Sequence, residues 1–205
     1  MTCRQGGATP RPYTFLTTCI QPTGLLIYPG RHSVASGNMS FLELAERRYS
    51  SREYCDTPVE QEKVDAILEA GRLSPTAVNA QPVRVIAVRT PEGLAKVSEG
   101  ANIHGAPLAF IVYADRSRAW TRKYDGMNTA EIDASIVTTQ MMYEATELGL
   151  GSVWICYFDP ETIRRNFGLE GDLVPVNILA VGYAADSTSR NHGNRIPISD
   201  FFRYE

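Results

Sequence analysis

The 205-residue chain has little of what announces most chemistries. Its three histidines, His32, His104 and His192, have no metal-ligand spacing, and there is no H-E-x-x-H pair, so no metal is expected. Its four cysteines, Cys3, Cys19, Cys55 and Cys156, form no C-x-x-C, which argues against a zinc ribbon or dithiol motif and leaves reduced thiols as the expectation. There is no G-x-x-x-x-G-K-[ST] phosphate loop and no G-x-S-x-G elbow. Gly149-Leu150-Gly151 lacks a third glycine and follows a helix pattern instead of opening one, against a Rossmann nucleotide site. No apolar run approaches the roughly 18 residues of a membrane span. A net charge of -3 supplies no basic field for nucleic acid.

What is present is an ordinary globular composition. With 43% hydrophobic and 21% charged residues, the chain is long enough for one domain with a sizeable core. Residues 1–38 differ from the rest. They hold Pro10, Pro12, Pro22 and Pro29 and no acidic residue, with one apolar patch at Leu25-Leu26-Ile27-Tyr28. This stretch reads as an N-terminal extension, either disordered or preceding the native start, with a transit peptide as the alternative. Met39 is then the natural first residue of a domain over 39–205.

Within that domain the helix punctuation is clear. Ser40 and Glu43 fit a capping box for a helix to about Arg48, and Thr57-Pro58-Val59-Glu60 fits a second one. Val64, Ile67, Leu68 and Gly71 make one helical face. Val83–Val88, Leu108–Tyr113, Ser152–Cys156 and Val176–Val181 read as strands. Thr90-Pro91 and Asp159-Pro160 each open a helix. The longest helix is predicted from Asn128 to Leu148, with Gly149 at its left-handed end. It carries two apolar stripes, Ile132, Ile136 and Tyr143, and Ala130, Ala134, Val137, Met141, Ala145 and Leu148. So broad a surface points to burial on more than one side.

Four segments carry candidate chemistry. Arg47-Arg48-Tyr49-Ser50-Ser51-Arg52 packs three guanidinium groups and two serine hydroxyls into six residues, a composition suited to phosphate and equally that of a solvated helix terminus. Ser74-Pro75-Thr76-Ala77-Val78-Asn79-Ala80-Gln81-Pro82 is a proline-bracketed loop whose amides offer donors and acceptors for a heterocycle rim, or simply a connection. Gly151 to Asp159 is a strand leaving into a capped helix, where ligands of α/β proteins often lie. Cys156 there has no histidine close in sequence to activate it, so packing or backbone lining is the plainer reading than a nucleophile. Arg195 matters only if the tail folds back over a phosphate.

In this order, from about Ser40 to Glu205, the four segments resemble the nitroreductase family. The resemblance implies an α+β fold, a mixed central sheet flanked by helices, in an intertwined homodimer with two FMN sites at the interface. By position, Arg48, Tyr49, Ser50 and Arg52 match its first FMN segment, with Arg48 and Ser50 on phosphate and Arg52 toward the ring edge that is negative in reduced flavin. Pro75, Thr76, Ala77, Asn79 and Gln81 match the loop contributed by the other subunit. Trp154, Ile155, Cys156 and Tyr157 match the segment over the ring, and Arg195 a phosphate-binding tail arginine. Two departures stand out: Cys156-Tyr157 replaces an acidic residue or glycine common in relatives, and Gly193 replaces a second tail cation. Trp120 and Asp125-Gly126 fall in a variable stretch that shapes the family's substrate pocket. The implied activity passes electrons from NADH or NADPH through FMN to a small organic acceptor, nitroaromatic or quinone-like, by a ping-pong mechanism, in the cytoplasm. No catalytic side chain is assigned. The rivals are a flavin-binding storage or sensing module without turnover, and reductive dehalogenation or flavin fragmentation on the same fold.

Overall fold

Two apolar runs organise the architecture. Leu108–Asp115 (β2) and Leu173–Gly182 (β4) pair antiparallel at the centre of a four-stranded sheet, in the order β1-β2-β4-β3. The outer strands are β1, Val83–Val88, and β3, Gly151–Ile155. This is a computed structural model that describes residues 39–189 and 191–205. The expected extension over 1–38 lies outside the described residues. The chain divides into units Met1–Phe41 and Leu42–Glu205, and the architecture here is that of the second.

The runs are continuous because both faces of the sheet are covered, so the usual alternation of an antiparallel strand is lost. On one face Leu108, Phe110 and Val112 join Leu179 and Val181 against α2 (Gln61–Arg72) and α4 (Ala130–Glu147). On the other, Ala109, Ile111, Ile178 and Ala180 pack with Val97 of α3 (Pro91–Ser98) and Ile163 of α5 (Pro160–Phe167). The remaining helices are α1, Phe41–Arg47, and a short α6, Ile198–Phe201. No helix among the described residues is long and apolar enough to cross a membrane.

Most of the predicted punctuation is realised. Thr90 accepts from the Gly93 N–H, Asp159 accepts from Glu161 and Thr162, and Gly149 and Gly168 sit at φ 78° and 65°. The second capping box is not formed. Helix α2 starts at Gln61, three residues beyond Pro58, because the Glu60 carboxylate accepts from the Tyr183 hydroxyl at 2.7 Å instead of folding back. At α4 the N-cap is Thr129, while Asn128 Oδ1 accepts from the Ala130 N–H at 3.1 Å. Strand β4 begins three residues before Val176. It tolerates Pro175, which lacks an N–H, because the register shifts beside its partner Tyr113.

The sheet is less mixed than expected. Among the described residues all four strands pair antiparallel, and the parallel component is the single bridge Ser50↔Ser152. Cys156 is free and exposed, and Cys3 and Cys19 lie outside the described residues.

Of the two stripes on α4, the Ala130–Leu148 stripe fills the core, with Ala130, Ala134, Met141 and Ala145 fully buried. Of the other, Ile132 is 46% exposed and Ile136 and Tyr143 are half-buried.

Glycine at 151 is required by contact. A Cβ there would lie 2.8 Å from Ala184 Cβ and 2.9 Å from Ser51 Cβ. Gly151→Ala is therefore expected to lower the unfolding free energy by about 1–3 kcal/mol, read from urea denaturation. An unchanged midpoint would mean that the segments carrying Ser51 and Ala184 part at no cost.

Candidate functional site

After α1 the chain becomes extended and runs beside β3. The Ser51 N–H donates to the Ser152 carbonyl at 3.0 Å. On its other side, the Cys55 N–H donates to Tyr183 O and the Ala185 N–H to Glu53 O, each at 2.8 Å. Wedged between β3 and the exit of β4, residues 50–55 have a fixed backbone.

Asp186 closes this arrangement. Its carboxylate accepts from the Arg52 N–H at 2.7 Å, the Ser51 hydroxyl at 2.5 Å and the Tyr49 hydroxyl at 3.3 Å. The Tyr49 hydroxyl also lies 3.0 Å from the Asp186 carbonyl. Burial raises the Tyr49 phenol pKa, and the Asp186 charge and hydrogen bond raise it further, so the hydroxyl stays a donor. Tyr54, donating to Ser51 O at 2.9 Å, is raised more strongly, chiefly by burial.

Arg48 is half-buried and makes no ion pair among the described residues; Arg52 is exposed, with Nη1 3.3 Å from Ser50 O. The tail does fold back here. His192 packs edge-on to Tyr49, centroids 6.2 Å apart, and its Nε2–H donates to Glu46 O at 2.7 Å. Arg195, three residues on, is exposed and donates to Asn194 O at 2.9 Å.

The amide loop is strained. Val78, Asn79 and Gln81 have φ of 48°, 57° and 50°, a region that costs a non-glycine residue about 1–3 kcal/mol. Internal bonds brace it: the Gln81 N–H donates to Thr76 Oγ1, and Gln81 Nε2 to Asn79 Oδ1, both at 3.0 Å. The Ala77 N–H reaches across to Asp133 Oδ1 on α4 at 2.9 Å. Pro75, Asn79 and Gln81 are exposed, and Thr76 and Ala77 half-buried.

At the exit of β3, Ile155 is buried, Trp154 half-buried, and Cys156 and Tyr157 exposed. The Trp154 indole N–H points at Cys156 Sγ, 3.1 Å away. Asp159 then caps α5, its carboxyl held below the usual range first by the Thr162 hydroxyl bond.

The structure brings together the arginine segment and the tail turn, but not the amide loop. Ser152, beside Ser50, pairs through Val181 to Leu108, whereas the loop enters β1 at Val83, opposite Ala114. Six residues of β2 separate these positions, roughly 20 Å along the strand. The two segments therefore lie at opposite ends of the sheet.

Two organising residues lie outside the four candidate segments. Asp186 follows a strand in Ala184-Ala185 with no motif. Asp133 had one, a carboxylate within the apolar Ala130–Ala134–Val137 face, and it is 1% exposed.

A family profile, that of the Nitroreductase family, matches residues 45–103 and 95–183, well over half the chain. The chain belongs to the nitroreductase family. A Methanothermobacter thermautotrophicus protein, provisionally named an NADH dehydrogenase/NAD(P)H nitroreductase, is 35% identical over 157 residues, covering 73% of this chain and 80% of its own length. Among solved structures, a nitroreductase family protein from Clostridium difficile is 47% identical with TM-score 0.79, covering 82% of this chain and 99% of that one. Another Clostridium difficile protein, described as an FMN-dependent nitroreductase, is 29% identical with TM-score 0.63, covering 78% and 93%.

Asp186→Ala removes the acceptor of the Arg52 amide. Hydrogen exchange at Arg52 is expected to rise roughly 10- to 100-fold while β2 and β4 stay protected, as loss of a charged hydrogen bond implies. Unaltered exchange would mean that strand pairing alone fixes the segment.

Proposed function

We propose that this nitroreductase-family chain is an FMN-dependent oxidoreductase, taking electrons from NADH or NADPH and passing them to a small organic acceptor, nitroaromatic or quinone-like, in alternating half-reactions. The observation that carries the reading is the Arg48–Arg52 segment, with Arg52 exposed, Arg48 half-buried and Ser50 between them, on a backbone fixed by Asp186 and by the bridge to Ser152. Guanidinium and hydroxyl groups are the donors a phosphate dianion needs. Arg48 has no competing ion pair among the described residues, so the donor set fits the phosphate of FMN.

In this reading Arg48, Ser50 and Arg195 hold the phosphate, Tyr49 supports them, and Arg52 faces the ring edge. Trp154, Ile155, Cys156 and Tyr157 line the ring. Pro75, Thr76, Ala77, Asn79 and Gln81 complete the site from a second copy, because within one chain they lie at the wrong end of the sheet. When bound, FMN supplies the redox chemistry; the side chains bind, orient and place positive charge. Residues 39–205 form the binding domain of a cytoplasmic homodimer. The exposed Ile132, the half-buried Ile136 beside it, and the exposed Phe201, Phe202 and Tyr204 supply apolar surface for the partner to cover.

The purified protein is expected to be yellow and to bleach anaerobically with NADH or NADPH. Arg48→Ala is expected to weaken FMN binding roughly 10- to 100-fold, as loss of a charge-assisted bond implies. Mixed dimers of Arg48→Ala with Asn79→Gly, which keeps the positive φ, are expected to regain one intact site. Colour that neither nucleotide bleaches would favour storage or sensing. A colourless protein that takes up no FMN would sink both readings, and no regain on mixing would reject the shared site.

A further inference from the structure

Asp133 is a buried carboxylate with two separate loads. Its Oδ1 accepts from the Ala77 N–H at 2.9 Å, and its Oδ2 lies 3.0 Å from the Thr129 hydroxyl. Thr129 in turn ties down the 120–129 hairpin through its N–H to Trp120 O at 2.9 Å. The strained loop over 76–81 is thus held to the body of the domain by one side chain of α4, and the same side chain meets the residue that anchors the hairpin. Three left-handed non-glycine residues in four positions relax unless something outside them holds the ends, since such conformations persist only where the surroundings over-determine them. Among the described residues, the remaining polar contacts of Thr76 to Gln81 lie within the loop or come from its neighbour Arg84, which donates to Gln81 O.

We propose that Asp133 is a positioning residue: it holds the Ala77–Gln81 backbone in the conformation that presents Asn79 and Gln81 to the flavin rim. This rests on the flavin reading of that loop. Asp133 acts through Ala77 and touches no cofactor, and what it supplies is an acceptor at a fixed point. Asparagine retains such an acceptor in Oδ1, and its Nδ2–H finds the Thr129 hydroxyl. Leucine has similar volume and no acceptor.

The test compares Asp133→Leu with Asp133→Asn by hydrogen exchange and FMN titration. In Asp133→Leu, exchange over 76–81 is expected to rise roughly 10- to 100-fold and the FMN Kd at least roughly tenfold, with 130–147 protected as before. Asp133→Asn is expected to restore both to near the parent values. If leucine disturbs the packing of α4, Asp133→Ala carries the same comparison in a good helix former. Unchanged exchange over 76–81 overturns the proposal, and so does an asparagine variant as damaged as the leucine one. Faster exchange with unchanged FMN affinity also overturns it, by severing the loop from the flavin while Arg48 keeps its phosphate role. Exchange needs no cofactor, so a protein that binds no FMN at all sinks the flavin reading separately from the hold on the loop.

Discussion

The antiparallel pairing of β2 with β4 is the constraint on which the other features depend. Its register, Leu108↔Val181 through to Asp115↔Leu173, decides which loops share an end of the sheet. The exit of β4 delivers Tyr183 to Asp186 beside the start of β3, and there the segment after α1 is captured. The far end of β2 receives the loop before β1. Burial on both faces holds the register, because a slip of one residue would exchange Phe110 and Ile111 between two different cores.

From that register follows the separation of the two polar segments. One chain presents a cationic edge and, roughly 20 Å along the strands, a strained amide loop. Neither is a whole pocket. The cationic edge has positive charge without walls, and the loop has directional amides without charge. In the proposed dimer the two segments meet across subunits, and the exposed Ile132 of α4 is covered there.

Both segments are disciplined by carboxylates that face no cation in their closest contacts. Asp186 accepts the Arg52 N–H and the Ser51 and Tyr49 hydroxyl protons, and Asp133 accepts one N–H from the loop. Acceptors on rigid elements shape neighbouring loops more sharply than loops shape themselves, because ionised oxygens make the shorter and stronger hydrogen bonds. Beside these braces, Arg52, Asn79 and Gln81 are exposed and Arg48 is half-buried.

The sequence by itself determined every strand and helix of the core to within a few residues, since period, caps and apolar runs are local properties. Asp159-Pro160, Thr90-Pro91 and Gly149 were legible for that reason. It also marked the arginine segment, the amide loop and the tail arginine by composition. Only the tertiary structure decided that Glu60 serves Tyr183 instead of a capping box, and that the sheet is antiparallel but for one bridge. It alone placed Asp186 under Tyr49–Arg52 and set the loop at the opposite end of the sheet. These are contacts between residues more than a hundred positions apart, or consequences of strand register. No local pattern encodes them, because they exist only once β2 and β4 have paired.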